Sequence, residues 1–370
     1  MPQAFHPIPA RPAPVHVTGF VARLKKDYFA SPFNALVTVL LLAAALWLLA
    51  KGVDWGVLHA VFAADADRCQ AARGAGACWG VINEKARFIL LGRYPQQEQW
   101  RPVLATFALM APVLASCSRR FWQPSLALIW AAGLAVFFVL MGGGVAGLGK
   151  VPTDLWGGLP LTLMLSVLSM VLAFPLSVLV ALGRRSSLPA IRSICLAYIE
   201  LIRGVPLISV LFMASFMFPL FMPVGKTPDV LVRVVIGITL FAAAYMAEII
   251  RGGLQTVGRG QVEAAASMGL TYWQAQRKII LPQALAAVVP SIVNNFISLF
   301  KDTSLVTIVS LYELTGALSL ALGSDPNWRP FKIEAYLFIA AIYFAFCYAM
   351  SRYSLRLEKR LAHGTHTNND

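Results

Sequence analysis

Eight runs of mostly apolar residues set the terms for this chain. They lie at about 33–50, 102–117, 124–147, 158–182, 205–223, 230–250, 283–301 and 331–350. A bilayer core is crossed by roughly 20 apolar residues in a helix, with a range of about 17–25. The second run is short and contains Pro112. With 58% hydrophobic and 13% charged residues among 370, a soluble fold could not bury so much apolar surface. The expected fold class is therefore an all-α polytopic membrane protein of about eight transmembrane helices. The formal charge of +14 argues for membrane flanks rather than nucleic acid, because Lys and Arg cluster beside the apolar runs. With eight spans, Arg23/Lys25/Lys26, Arg119/Arg120, Arg184/Arg185/Arg192, Arg251/Arg259/Arg277/Lys278 and the cluster Arg356/Lys359/Arg360 fall on one side. The positive-inside rule makes that side cytoplasmic, with both termini in it. The first 20 residues are Pro-rich and lack an apolar signal core, which reads as a disordered cytoplasmic tail.

Residues 263–282, EAAASMGLTYWQAQRKIILP, form a polar interruption between two apolar runs. Glu263 to Met268 favours a helix, and Gly269 suits the left-handed position that ends one. Thr271 and Gln274 have capping-box spacing and open a second helix, while Pro282 suits the first turn of the next. Spacing alone leaves open an ordinary helical cytoplasmic loop. Glu263-Ala264-Ala265, three residues, Gly269, nine residues, then Ile279-x-Leu281-Pro282 resembles the EAA loop of membrane subunits of ATP-binding-cassette importers. The resemblance implies that Glu263, Ala264, Ala265, Gly269, Leu281 and Pro282 belong to a knob that docks in a groove of a separate ATPase subunit.

The chain from about 155 onward resembles the five-helix core of polar amino-acid importer permeases. The matching pieces are Gly158-Leu159-Pro160-Leu161-Thr162-Leu163, the stretch from Tyr198 to Leu207, Tyr245 to Gly253, Lys301-Asp302-Thr303-Ser304-Leu305 and Ser351-Arg352-Tyr353-Ser354. A common family form has Thr where Val205 stands. The first 150 residues resemble the longer membrane subunit of general L-amino-acid importers. This organisation divides the chain into a tail (1–32), three added spans with an outer loop at 51–101 (33–150), a permease core (151–351) and a C-terminal tail (352–370).

The resemblance implies a bacterial inner-membrane permease subunit that moves polar or diverse L-amino acids inward, including glutamate, glutamine, aspartate or asparagine. A periplasmic binding protein would deliver substrate, a second permease chain would complete a heterodimer, and membrane lipid would surround the pair. ATP and Mg would sit on the partner ATPase, whose closure would press the two EAA loops together and drive alternating access. No cofactor is expected in this chain. Gly144-x4-Gly149-Lys150 has the front of a phosphate loop, but Val151 stands where Ser or Thr must hold magnesium. Gly225-Lys226-Thr227 lacks the upstream Gly, since Leu220 holds that place. The alternative is an ion-coupled secondary amino-acid carrier, which usually shows paired interrupted helices in two halves. A membrane-embedded enzyme would need a His, Asp or Glu cluster at one membrane face, and the intact EAA pattern argues against a non-transporting scaffold.

Charges and amides in or beside a span are functional candidates. Asn294, Asn295 and Ser298 fall on a mostly apolar helix, with Lys301, Asp302, Thr303 and Ser304 just beyond. An amino-acid zwitterion needs an anionic partner and a donor, which Asp302 and Lys301 could supply. The competing reading is an interfacial pair ending a helix, with the two Asn joining helices. Glu200 with Arg203, and Glu248 with Arg251, have the spacing of helix-surface ion pairs, or of braces for the EAA loop. Cys69 and Cys78, nine residues apart in the outer loop, are either a disulfide or two free thiols. No His lies inside an apolar run, so no metal site is expected.

Overall fold

The structure is a computed structural model that describes residues 19–366 except 122, 146 and 224. The start of the expected N-terminal tail, 1–18, and the last four residues lie outside the described residues. The chain divides into two compact units, to residue 80 and from residue 81.

The first unit contains α1 (Phe20–Tyr28), α2 (Pro32–Val53) and α3 (Ala66–Ala71). Ser31 caps α2 by accepting from Asn34 N at 3.2 Å, and Pro32 opens its first turn. The apolar helix runs on through one π-helical turn to Leu58. None of the α2 side chains is buried. A helix apolar all round and unburied is what a lipid-facing span requires. Beyond it, Asp65 caps α3 through Asp67 N and Arg68 N. Cys69 is joined to Cys78 in a disulfide whose Cα atoms are 5.4 Å apart. Trp79 Nε1 donates to Gly56 O at 2.7 Å across the same small fold.

The second unit is a helical bundle. Its elements are α4 (Gly80–Leu91, starting at the unit boundary), α5 (Trp100–Ser116), α6 (Ser125–Gly142), α7 (Gly158–Arg184) and α8 (Pro189–Arg203). They are followed by α9 (Leu207–Phe212), α10 (Val230–Thr256), α11 (Arg259–Ser267) and α12 (Tyr272–Ala275). The last three are α13 (Leu281–Asp302), α14 (Leu314–Gly323) and α15 (Lys332–His366). The most extensive contacts pair α7 with α10, α5 with α6, α10 with α13 and α13 with α15. The core sits where α7 and α10 meet, with Leu161, Met164, Leu165, Ile238, Ala243, Met246 and Ile250 buried there.

Among the described residues six helices are long and apolar enough to cross a membrane. The expected span at 205–223 is the second limb of a pair, Pro189–Arg203 and Leu207–Phe221, bent by 104°. The bend falls at Gly204-Val205-Pro206, where Pro206 cannot donate and disfavours helix before it. The expected 102–117 span is the 17-residue α5, with Pro112 inside it.

Arg101 in α5 is fully buried and ties three segments together. It donates to Leu140 O at 2.7 Å and Gly149 O at 3.0 Å, pairs with Glu98, and lies over the Tyr94 ring at 5.6 Å. Tyr94 OH donates to the α6 carbonyls of Met141 and Leu140 at 3.0 and 3.2 Å. Burial pushes the Tyr94 phenol up to about 12, so it stays a donor to these last helical carbonyls. The phosphate-loop lookalike at Gly149 is thus a clamped turn after a helix. Across the bundle, Lys85 of α4 reaches Asp325 beyond α14 at 2.7 Å.

Candidate functional site

The 251–282 stretch forms a helical knob. Helix α10 runs to Thr256, and α11 begins at Arg259, four residues earlier than the sequence led us to expect. Gly269, at φ 72°, makes the left-handed turn between α11 and α12. Both halves of the Thr271–Gln274 capping box form, with Thr271 N donating to Gln274 Oε1 at 2.9 Å.

The second knob helix does not stop before Pro282. It continues through a π-helical turn, Gln276–Ile280, into α13, so that Tyr272–Val309 is one 38-residue rod. The wide turn explains how Pro282 is accommodated. Leu281 N–H reaches back five residues to Gln276 O, and the helix opens where proline would otherwise clash with a carbonyl.

The knob presents two faces. Ala265, Ala275, Gln276 and Ile280 turn inward and are buried, and Leu281 is half-buried. Glu263, Ala264, Gly269 and Pro282 are exposed. Beside them Val262, Tyr272, Met268 and Trp273 are also bare, the last two at 78% and 65%. An apolar and aromatic patch around one carboxylate is the composition of a protein-docking surface. Between the α10–α11 turn and α13 lies a cleft of about 620 Å³, lined by Val257, Gly258, Gln261 and Gln283 among others. Here α10 and α13 come so close that a methyl group on Gly253 would meet the Ala284 carbonyl and lie 2.9 Å from Val288.

A charge network lies where α7, α8 and α10 end or begin on this side. Glu248 is at its centre, paired with Arg184 of α7, with Arg251 at 3.0 Å and with Arg203 of α8 at 3.8 Å. The expected Glu248–Arg251 pair is there. Glu200 and Arg203 do not pair with each other. Glu200 instead lies 3.7 Å from Arg184, and Arg203 sits over the Tyr245 ring at 5.5 Å. The helix-to-helix approach sets these partners, so a reading confined to one helix face misses them. Arg185 adds a bond to Leu254 O at 3.0 Å.

Along α13 the exposed residues recur at Ser291, Asn294, Ser298 and Lys301, three or four positions apart. They form a polar stripe on a membrane span. Asn295 turns the other way, with a buried Oδ1 that has no partner. Asp302 and Ser304 are half-buried. Thr303 is buried and donates to Phe300 O at 2.7 Å, which makes it part of the helix end.

Sequence reading missed Glu313. It is fully buried and faces no cation, and it caps α14 by accepting from Thr315 N at 2.8 Å and Gly316 N at 3.0 Å. Tyr343 OH donates to its other oxygen at 2.9 Å, and Thr162 Oγ1 lies 3.2 Å from that oxygen while accepting from Leu314 N. One carboxylate thereby fastens α7, α14 and α15. Its signal was a lone acid in the apolar run around 305–322, between the expected spans at 283–301 and 331–350. Among the described residues no group of three or more His, Cys, Asp or Glu could hold a metal ion.

The second unit is thus a polytopic helical bundle with an exposed knob and a polar stripe left uncovered on one span. The family described as binding-protein-dependent transport system inner membrane component matches residues 173–363, and the chain belongs to it. The inner membrane amino-acid ABC transporter permease protein YhdY of Escherichia coli (strain K12) is 41% identical over 96% of this chain and 97% of its own length. The glutamate/glutamine/aspartate/asparagine transport system permease protein BztC of Rhodobacter capsulatus is 37% identical over 95% of this chain and 96% of its own. A solved structure of an amino acid ABC transporter with histidines is 33% identical, covering 54% of this chain and 90% of that chain at a TM-score of 0.48.

Proposed function

We propose that this chain is the amino-acid-translocating permease subunit of an ATP-driven importer, and that the α11–α12 knob is where the ATPase subunit docks. The observation that carries the docking reading is the knob's construction. An exposed apolar patch beside Glu263 on α11 extends over Tyr272 and Trp273 of α12, and α12 continues without a break into a membrane span. Likeness along nearly the full length to two proteins named as amino-acid permeases supports the substrate class. ATP and Mg belong to the partner in this reading. Residues 151–351 carry translocation, and residues 33–150 are an added membrane module.

The polar stripe on α13 supports a second, homologous permease chain, and we read the pair as a heterodimer. Ser291, Asn294, Ser298 and Lys301 cannot face hydrocarbon without cost. A facing helix would cover them and leave a polar path along the seam. Asn294, Ser298, Lys301, Asp302 and Ser304 are the residues we assign to that path, with Thr303 shaping its end and Asn295 turned inward behind it. A periplasmic binding protein delivers the substrate on the opposite face from the knob. By the positive-inside rule we read the knob and both termini as cytoplasmic.

The test is Glu263→Lys in the intact transporter. Uptake of labelled amino acids and co-purification of the ATPase should both be lost, while the protein still inserts in the membrane. Normal uptake by this variant would overturn the docking assignment. Independently, Asn294→Leu should lower uptake or narrow the range of amino acids carried without releasing the ATPase. Unchanged uptake across all substrates would remove the stripe from the pathway.

A further inference from the structure

A groove of about 580 Å³ lies among α5, α6, α7, α13 and α15, beside the C-terminal end of α5 and the N-terminal part of α6. Val113, Trp130, Val171, Phe174, Ile292 and Phe296 make its walls. The few polar atoms there are already engaged with one another. Trp130 Nε1 donates to Ser116 Oγ at 3.0 Å, Ser116 Oγ donates to Pro112 O at 2.7 Å, and Tyr353 hydrogen-bonds Cys117. What remains is hydrocarbon surface. A water placed there would find none of the two to four polar partners it needs.

The chain becomes basic where the lining residues run out. Arg120 follows Cys117 by three positions, and Arg356 follows Tyr353 by three, on the same side of α15. Arg120, Arg352 and Arg356 are exposed and form no ion pair among the described residues. Exposed guanidinium groups where the lining of an apolar slot ends complement a lipid with a negative headgroup.

We infer that this groove holds an acyl chain of one anionic phospholipid, with its phosphate on Arg120, Arg352 and Arg356. The lipid fills the gap where α5 and α6 lie against α7, α13 and α15. The inference needs only that these helices span a bilayer, which family membership supplies, and it stands whether or not the substrate or docking readings hold.

The experiment is native mass spectrometry of the full-length protein, offered equal amounts of phosphatidylglycerol and phosphatidylcholine with identical acyl chains. The wild type should retain phosphatidylglycerol several-fold over phosphatidylcholine. Val171→Trp, which fills the groove, should lose both adducts. The triple variant Arg120→Gln, Arg352→Gln, Arg356→Gln should keep lipid but lose the preference. A second readout needs no variant, because Cys117 lines the groove. Bound phosphatidylglycerol should slow its alkylation by a maleimide several-fold, read from the mass of its peptide. Equal retention of the two lipids by the wild type, or phosphatidylglycerol binding unchanged in Val171→Trp, would overturn the site. So would a Cys117 equally shielded in lipid-stripped protein, since a protein segment would then cover the groove.

Discussion

Single side chains decide much of this architecture because they sit where helices touch. Glu248 gathers three arginines from α7, α8 and α10, and so fixes how these helix ends meet beside the knob. Removing one partner from such a half-buried group leaves charge uncompensated, which is costlier than losing an exposed pair. Gly253 acts by having no side chain. Any Cβ there runs into the α13 backbone at Ala284, and backbone cannot swing aside as a side-chain tip can. Gly253→Leu should therefore destabilise the bundle by about 1–3 kcal/mol or more. The thermal midpoint of the detergent-solubilised protein checks this, and an unchanged midpoint would mean that α10 and α13 are less tightly apposed than the structure has them. The glycine was visible in the sequence, but its neighbour was not, since 31 positions separate Gly253 and Ala284 in the chain.

Helices and turns were legible where their cause is local. The Thr271–Gln274 capping box and the left-handed Gly269 involve residues within one turn of each other, and sequence reading places both. Hydropathy locates the long spans for the same reason. The 104° break at Gly204-Val205-Pro206, the π-helical turn ahead of Pro282 and the short α14 were not foreseen. Each depends on what packs against it: a proline can end a helix, bend it or be absorbed by a wider turn, and only the surroundings choose. The Lys85–Asp325 link between α4 and the segment after α14 belongs with these. The Lys85 ammonium holds the Asp325 carboxyl below its ordinary range. A depressed acid contributes stability that is present above its unfolded value, near 3.9, and lost as the pH falls through the folded one. The protection of α4 amides from hydrogen exchange, taken relative to the intrinsic rate at each pH, should thus fall on acidification below about pH 4. In Asp325→Asn that protection should already be lower at pH 7 and show less of the acid-dependent step. An identical acid response in the two proteins would show that the pair does not hold α4 in place.

Across the second unit, α7 and α10 form the buried centre, while α13 keeps one polar side uncovered. The membrane class was plain from composition alone, because no soluble core could absorb so many apolar runs. The long-range fastening by Arg101 and Glu313 was not, since burial of a charge is a property of the packed bundle and leaves no periodic trace. The rod from Tyr272 to Val309 spans about 57 Å at 1.5 Å per residue, nearly twice a hydrocarbon core of about 30 Å. Its continuity sets an angular phase between the exposed knob face and the polar stripe. Each residue of an α-helix advances that phase by about 100°. A one-residue deletion at 284–289 should swing the stripe away from its partner and abolish uptake. A one-residue deletion within 276–280, made together with Pro282→Ala so that no ring meets the narrowed turn, should be tolerated, because a π turn carries one residue more than an α turn and can shed it with the phase preserved. Uptake lost equally in both deletions would mean that the wide turn itself, and not the phase it conserves, is what transport requires.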